Sequence, residues 1–245
     1  MGETFYLQSY LTLYFNIKGP SQCGKSHLME EMLRFKDRIF CEPYAKFIFC
    51  SPNFDPENMS PSDEAYQQRL ISLANPQEIV FYDHVINLEE LTQESNNFST
   101  RLLIFLDDFS ESCFSEDVTV KLFIKLSSHK NADIVCAIHH GLASKQAGKH
   151  FSMVWNSANV VVLFRTLADR ASIGHLNRKF FPYTENHLEK CLSQSTELLG
   201  NFANVFIFCN LDNELNKNFG VRANVVSDGP LILFKNPSYY ATGMK

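Results

Sequence analysis

Six short runs of apolar, β-rich residues, separated by helix-like segments, constrain the fold more than any other feature of this sequence. The runs occupy residues 11–17, 46–51, 78–83, 102–107, 133–139 and 159–164. Most of them are apolar throughout, which is typical of strands that are covered on both faces. Strands that alternate with helices predict a three-layer α/β fold built on a mainly parallel central sheet.

The segments between these runs carry helix signals. After residue 25, the apolar residues of the stretch 26–36 recur at three- and four-residue spacing, as on one face of a helix. Ser60-Pro61 predicts the start of a second helix, and residues 116–128 form a third candidate.

The pattern changes after Pro182. A polar, helix-like stretch at 184–199 is followed by apolar runs at 204–210, 221–227 and 231–235, with turn-rich sequence after the first of them. These runs predict antiparallel strands at one edge of the same sheet. We therefore expect a single domain over residues 1–245, with a core at about 12–182 and the C-terminal helix and edge strands at about 183–245.

Composition narrows the class of protein. The chain has 245 residues, 45% of them hydrophobic, and a formal net charge of -5, so any nucleic-acid contact is expected in a local patch or in a surface built by several subunits. Seven cysteines without a C-x-x-C pair favour a reducing, intracellular compartment. We find neither a signal peptide nor an apolar stretch long enough to span a bilayer, and so expect no membrane partner.

The segment GPSQCGKSHL, residues 19–28, matches the pattern G-x-x-x-x-G-K-[ST]. It lies between a predicted strand and a predicted helix, the setting in which such a loop binds phosphates through backbone N–H groups and the helix N-terminus. Lys25 is expected to reach the β- and γ-phosphates, and the Ser26 hydroxyl to ligate Mg²⁺. The predicted nucleotide-binding residues are Gly19, Pro20, Ser21, Gln22, Cys23, Gly24, Lys25, Ser26 and His27.

A second acidic anchor lies at the end of the run 102–107, where Asp107 and Asp108 follow the four apolar residues 103–106 in the manner of a Walker B motif. Asp107 is the candidate for holding Mg²⁺, and Asp108 is the candidate general base that polarises the attacking water. The alternative for this pair is an acidic turn before the next helix.

Two further predictions concern sensing and assembly. His139, at the end of the run 133–139, is a candidate sensor of the γ-phosphate, with a histidine bound only to loop backbone as the alternative. Arg165 and Arg170 follow the run 159–164, and either one is a candidate to act in trans on a neighbouring subunit's nucleotide, or to form surface ion pairs.

Taken in order, these motifs resemble the viral genome-packaging ATPases of the FtsK/HerA superfamily, in particular the branch of poxvirus-like large DNA viruses and Maverick/Polinton elements. The resemblance spans roughly residues 12–235. The narrower signals are His129 and Asn131 in SSHKN, Asn156 before the run 159–164, and Asp169 after it. The resemblance implies a P-loop NTPase fold of the RecA/ASCE type.

Two positions depart from the family pattern. The family usually has glutamine where this sequence has His139-His140, and it tends to carry an arginine shortly before the position of Asn156, where this sequence reads HFSMVWN. A sensing imidazole would change its charge near neutral pH. The missing arginine leaves the trans-acting role to Arg165 or Arg170, or leaves the motor impaired.

The resemblance implies an ATPase that uses ATP and Mg²⁺ to translocate double-stranded DNA and package a viral or virus-derived genome into a capsid. Because only 18 residues precede the phosphate loop, we expect a motor core without a membrane anchor. Implied partners are duplex DNA, capsid proteins and further copies of the chain in a hexameric or pentameric ring, at virion assembly sites in the host cytoplasm or nucleus. The alternatives are another ring-forming motor, of helicase or AAA type, and a degenerate nucleotide-binding assembly protein without turnover.

Overall fold

The computed structural model describes residues 23–40, 43–94, 101–109, 122–123, 132–138, 158–164, 170–182, 184–200, 203–209 and 220–236, together with the backbone of 14–18. For residues 138 and 170–172 it likewise describes the backbone alone.

The described residues form nine strands that join in one sheet. These are β1 (Tyr14–Lys18), β2 (Lys46–Cys50), β3 (Ile79–Tyr82), β4 (Leu102–Leu106), β5 (Ala132–Ile138), β6 (Val160–Phe164), β7 (Asn204–Phe208), β8 (Val221–Ala223) and β9 (Ile232–Phe234). Their order across the sheet is β3-β2-β4-β5-β1-β6-β7-β8-β9.

The sheet is parallel in its first six positions and antiparallel at one edge. The pairs from β3 to β6 are all parallel, and the pairs from β6 to β9 are all antiparallel. The predicted mainly parallel sheet with antiparallel C-terminal edge strands is therefore confirmed.

The strand β5 lies between β1 and β4. It pairs with β1 through Tyr14 opposite Ile134 and with β4 through Leu102 opposite Ala132. Because all three strands are parallel, their carboxyl ends meet at the same edge of the sheet. This edge is called the carboxyl edge below.

The structure gives both ends of six helices: α1 (Lys25–Arg34), α2 (Lys36–Ile39), α3 (Pro61–Leu73), α4 (Leu88–Glu94), α5 (Arg170–Phe180) and α6 (His187–Leu199). The predicted helix starts near Lys25 and at Ser60-Pro61 are confirmed. Of the third candidate, 116–128, only Leu122 and Phe123 are described, and both are helical. None of the helices within the described ranges has both the length and the apolar character needed to cross a bilayer.

Helices cover both faces of the sheet, which explains why most residues of its strands are apolar. On one face, Phe47, Phe49 and Phe105 pack in a cluster that includes α1 residues such as Met29 and Met32. Alternate residues of the same strands enter a second cluster on the opposite face. That cluster also contains residues of α4, α5 and α6, among them Leu91, Leu176 and Leu188. The result is the predicted helix–sheet–helix sandwich.

The strand β8 is shorter than the apolar run 221–227 predicts. It ends at Ala223 because Asn224 has a φ of 58°, in the left-handed region. A strand residue has a strongly negative φ, so the chain leaves the sheet there and begins a turn.

We expect Ser60→Ala to lower the free energy of unfolding by about 1 kcal/mol, because the Ser60 hydroxyl caps α3. Its Oγ accepts a hydrogen bond from the Asp63 backbone N–H at 3.2 Å, and Pro61 occupies the first helical position. Urea denaturation measures the change. Ser72→Ala is the matched control, because the exposed Ser72 hydroxyl donates to the Arg69 carbonyl within the same helix. A loss at Ser72 as large as that at Ser60 would contradict the capping role.

Candidate active site

The helix α1 begins directly after a glycine that has a left-handed backbone. Gly24 has φ 99° and ψ 18°, and its carbonyl accepts a hydrogen bond from the Leu28 N–H at 2.8 Å. A residue with a side chain rarely adopts this conformation, so the turn into α1 favours glycine. The turn places the unsatisfied N–H groups of the first helical residues at the carboxyl edge, where an anion is favoured.

Lys25, the first residue of α1, is only 5% exposed. Burial lowers the pKa of its ammonium group, and the charges of Asp107, Asp108 and an ionised Cys23 oppose this shift. Burial also raises the pKa of the Cys23 thiol, which is therefore uncharged at neutral pH. The two aspartates are the remaining charges that favour the charged form of Lys25.

The two aspartates follow β4 in different environments. Asp107 is 5% exposed, and its backbone N–H continues the ladder by donating to the Cys50 carbonyl at 2.9 Å. Asp108 is exposed and has a φ of 61°. Its Oδ2 accepts a hydrogen bond from Asn53 Nδ2 at 2.9 Å. One carboxylate is therefore buried near Lys25, and its neighbour faces solvent with a fixed partner from the segment after β2.

Tyr66, on α3, connects a second helix to the start of α1. Its hydroxyl donates to the Ser26 carbonyl at 3.2 Å. Burial, and then the charges of Asp107 and Glu30, raise the pKa of Tyr66 well above its ordinary value. The phenol therefore remains protonated and can donate to the Ser26 carbonyl throughout the physiological pH range.

His27, Glu30 and Glu31 also lie together, with their ligand atoms within 4.8 Å of one another. Both carboxylates have cationic partners, however. Glu30 pairs with Arg34 and Arg69, each at 3.2 Å, and Glu31 pairs with Arg34 at 2.9 Å. This group is an ion-pair network that joins α1 to α3, and we do not interpret it as a metal site.

The donors at the carboxyl edge suit Mg²⁺. This ion prefers oxygen ligands. It takes one or two of them from the protein and the rest from phosphate and water. The Asp107 carboxylate and the Ser26 hydroxyl are oxygen donors of this kind, at the end of β4 and in the first turn of α1. The charges at this edge also suit a phosphate chain, because the buried Lys25 would supply a second cation, beside Mg²⁺, for the phosphate oxygens.

Several of the residues predicted from the sequence are described at this edge, and others lie outside the described part of the chain. The turn into α1 contains Cys23 and Gly24, and the first residues of α1 are Lys25, Ser26 and the exposed His27. Asp107 and Asp108 follow β4. Arg170 begins α5, but its side chain is not described. The predicted site residues outside the described ranges are Gly19, Pro20, Ser21, Gln22, His139 and Arg165. The residues that gave the narrower signals of the family resemblance also lie outside these ranges; they are His129, Asn131, Asn156 and Asp169.

The sheet order and the turn into α1 together identify the fold. A strand lies between the strand before the glycine turn and the strand before the aspartate pair, and a helix starts at the lysine of the turn. The fold is that of a P-loop NTPase.

Comparison with known proteins gives a distant structural likeness. No family model matches the chain, and no curated protein matches it. Among solved structures, the chain is similar to the genome packaging NTPase B204 from Sulfolobus turreted icosahedral virus 2, determined in complex with ATP-gammaS. The two share 12% sequence identity with a TM-score of 0.48, over 82% of this chain and 94% of B204. At this distance the likeness carries no inference about activity.

Asn53 and Tyr66 are not among the site residues predicted from the sequence. Asn53 has a signal in the sequence, because it is a polar residue shortly after a predicted strand, as Asp107 and Asp108 are. An inspection of every strand end would have found it. Tyr66 has no such signal, since its contact with Ser26 depends on how α3 packs against α1.

We expect Asp107→Asn to lower the pKa of Lys25 further. Burial already lowers it, Asp107 opposes that effect, and the amide removes the opposing charge. Neutral Lys25 should then form at lower pH than in the wild type. The pH dependence of Nζ acylation, followed by peptide mass spectrometry with the exposed Lys190 as internal reference, measures this. An unchanged or higher midpoint would show that Asp107 does not stabilise the charged lysine.

Proposed function

We propose that this protein is an ATPase that translocates double-stranded DNA and packages a viral or virus-derived genome into a capsid. The observation that carries the ATPase part is the buried Lys25 at the N-terminus of α1, close to the charges of Asp107 and Asp108 after β4. The translocation part rests on the resemblance of the sequence motifs to genome-packaging ATPases.

The N-terminus of α1 and Lys25 bind the phosphate chain in this proposal. Backbone N–H groups after Gly24 donate to phosphate oxygens, and the α1 dipole adds to the attraction. The Lys25 ammonium contacts the β- and γ-phosphates. Because Lys25 is already desolvated, little hydration is lost when phosphate binds, and the charge interaction is strong.

The Ser26 hydroxyl and the Asp107 carboxylate would hold Mg²⁺ beside the phosphates. When bound, the ion neutralises charge on the phosphate oxygens. Asp107 is buried and its backbone N–H is anchored to β2, so its carboxylate keeps one position. The Tyr66 hydroxyl holds the Ser26 carbonyl and thereby supports the first turn of α1.

Asp108 is the general base in this proposal. It accepts a proton from the water that attacks the γ-phosphate. Its left-handed backbone turns the residue away from the direction of β4, and Asn53 holds Oδ2 at 2.9 Å. Asn53 thus acts through Asp108, by positioning its carboxylate, and does not itself touch the nucleotide.

The remaining roles come from the sequence. His139 senses the γ-phosphate, and Arg165 or Arg170 acts in trans on the nucleotide of a neighbouring subunit. Copies of the chain form a hexameric or pentameric ring around duplex DNA and dock on capsid proteins at intracellular sites of virion assembly. A ring is consistent with a net charge of -5, because local basic residues of several subunits would together line the pore.

Steady-state ATP hydrolysis, with and without duplex DNA, tests the proposal on the wild type and two variants. DNA is expected to stimulate the wild type. Lys25→Ala should lower kcat/KM by on the order of a hundredfold or more, because phosphate stabilisation is lost. Asp108→Asn should lower kcat by about a hundredfold to ten-thousandfold with little change in ATP affinity.

Three results would contradict parts of the proposal. ATP binding without turnover, at every protein concentration and with DNA present, would favour an assembly protein that only binds nucleotide. DNA-stimulated turnover that persists in Asp108→Asn would remove Asp108 as the base. Strand separation in an unwinding assay, without displacement of a third strand from an intact duplex in a triplex-displacement assay, would favour a helicase over a packaging motor.

A separate prediction concerns Asn53. We expect Asn53→Ala to lower kcat on the order of tenfold to a hundredfold and to leave the Kd for ATP unchanged, because only the position of the Asp108 carboxylate is disturbed. Single-turnover hydrolysis and equilibrium ATP binding measure the two quantities.

The matched control is Asn58→Ala. Asn58 is exposed, lies in the same segment after β2, and donates to Asp55 Oδ2 at 2.7 Å rather than to Asp108. Equal losses of kcat in both variants would indicate a general disturbance of the segment. Unchanged kcat in Asn53→Ala would show that the contact with Asp108 does not position the base.

A further inference from the structure

A pocket of about 210 Å³ opens beside the N-terminus of α1, toward strands β6–β8 and away from the aspartate pair after β4. It shares Gly24 with the glycine turn and is lined by Leu28 from the first turns of α1. The pocket is therefore continuous with the proposed phosphate site.

The strand registers explain how the other walls of the pocket come together. Phe164, at the end of β6, pairs with Asn204 at the start of β7, and Val205 pairs with Ala223 at the end of β8. Since β7 is antiparallel to its neighbours, its start and the ends of β6 and β8 lie at the same edge. Asn204 and Asn224 consequently both line the pocket.

The lining combines apolar walls with side-chain amides. Leu28, Phe164, Leu199 and Val226 supply apolar surface, and Asn204 and Asn224 supply amides. A flat heteroaromatic ring with polar edges suits such a pocket, because its faces pack on apolar groups while its edges form hydrogen bonds. His27 and Glu31 also line the pocket, and Glu31 is paired with Arg34 at 2.9 Å.

The amide of Asn224 is held in a defined orientation. Its Nδ2 donates to the Pro230 carbonyl at 2.9 Å, which fixes which end of the amide is nitrogen. A Cβ at Gly229 would lie 2.5 Å from Nδ2, so a side chain there would displace the Asn224 amide from this orientation. With Nδ2 committed to Pro230, the Oδ1 acceptor is the group best placed to bind a ligand.

We propose that this pocket binds the nucleobase of the nucleotide and that Asn224 selects adenine over guanine. The inference rests on the proposed function, because the phosphate chain at Gly24 and Lys25 orients the nucleotide. Asp107 and Asp108 follow β4, and the pocket lies on the β6–β8 side of α1, so in this binding mode the γ-phosphate points toward Asp108 and the base enters the pocket. An acceptor such as Asn224 Oδ1 pairs with the amino group of adenine and faces the carbonyl oxygen of guanine unfavourably.

Equilibrium binding of the full-length chain to three probes tests this inference. The probes are ATP, GTP and inorganic tripolyphosphate, each with Mg²⁺. The wild type should bind ATP at least about tenfold more tightly than either of the other two, because tripolyphosphate lacks the base and guanine lacks the amino donor at that position. Lys25→Ala should weaken all three.

Two variants alter the pocket with little risk to the fold. Asn224→Gly removes the amide and suits the φ of 58°. Leu199→Ala shortens an apolar wall at a helix end where the side chain is 38% exposed. Both should weaken ATP binding by about tenfold and leave tripolyphosphate binding unchanged, and Asn224→Gly should in addition bring the affinities for ATP and GTP close to each other.

Matched controls exist for both variants. Asn186→Gly replaces another asparagine with positive φ, before α6, and Leu198→Ala shortens the adjacent leucine, which is 67% exposed; neither residue lines the pocket. Neither control should change ATP affinity. Controls that weaken ATP binding as much as their counterparts would overturn the inference.

The remaining outcomes separate the two proposals. Lysine-dependent binding of tripolyphosphate, with ATP bound no more tightly, would overturn the base pocket and leave the phosphate site standing. Equal weakening of ATP and tripolyphosphate in the pocket variants would also overturn it. Absence of binding by every probe, or binding that does not depend on Lys25, would overturn the proposed function and the base pocket together.

Discussion

The burial of a lysine ammonium at the carboxyl edge of a parallel sheet is the constraint on which the rest of the site depends. A desolvated cation is costly unless negative charge lies nearby, and Lys25 is 5% exposed. Asp107 and Asp108 supply that charge from the end of β4. The two segments can meet because β1, β5 and β4 are parallel neighbours with their carboxyl ends aligned.

The sheet holds these charges in place because it is packed on both faces. Phe49 and Phe105 stack at 4.2 Å between neighbouring strands, and both are almost fully buried. Strands fixed in this way leave little freedom to the residues directly after them. Asp107 gains a further tie through its backbone hydrogen bond to Cys50. Rigid strands with polar residues at their ends are the arrangement that electrostatic preorganisation requires.

Local sequence signals predicted the strands, the α1 start and the acidic pair, because each depends on a few adjacent residues. Continuous apolar runs indicated the two-sided sheet, and the glycine before Lys25 indicated the turn that its φ of 99° requires. The contacts of Asn53 and Tyr66 could not be read in this way. They join segments 55 and 40 positions apart in the chain, and their partners follow from strand order and helix packing. The turn at Asn224 was not predicted for a different reason. It interrupts a run whose other residues are apolar enough for a strand.

The carboxyl edge is divided into two chemically different halves, and the division has a structural origin. On the β4 side the strands are parallel, and the segments after them carry carboxylates and the Asn53 amide. On the β6–β8 side the sheet becomes antiparallel, so the start of one strand and the ends of two others form apolar walls with side-chain amides. The N-terminus of α1 lies between the halves. In the proposed binding mode, the charged end of a nucleoside triphosphate lies on the β4 side and its base lies on the β6–β8 side. The change from parallel to antiparallel pairing at β7 makes the two halves of the carboxyl edge chemically different. In the proposal, this difference orients the nucleotide.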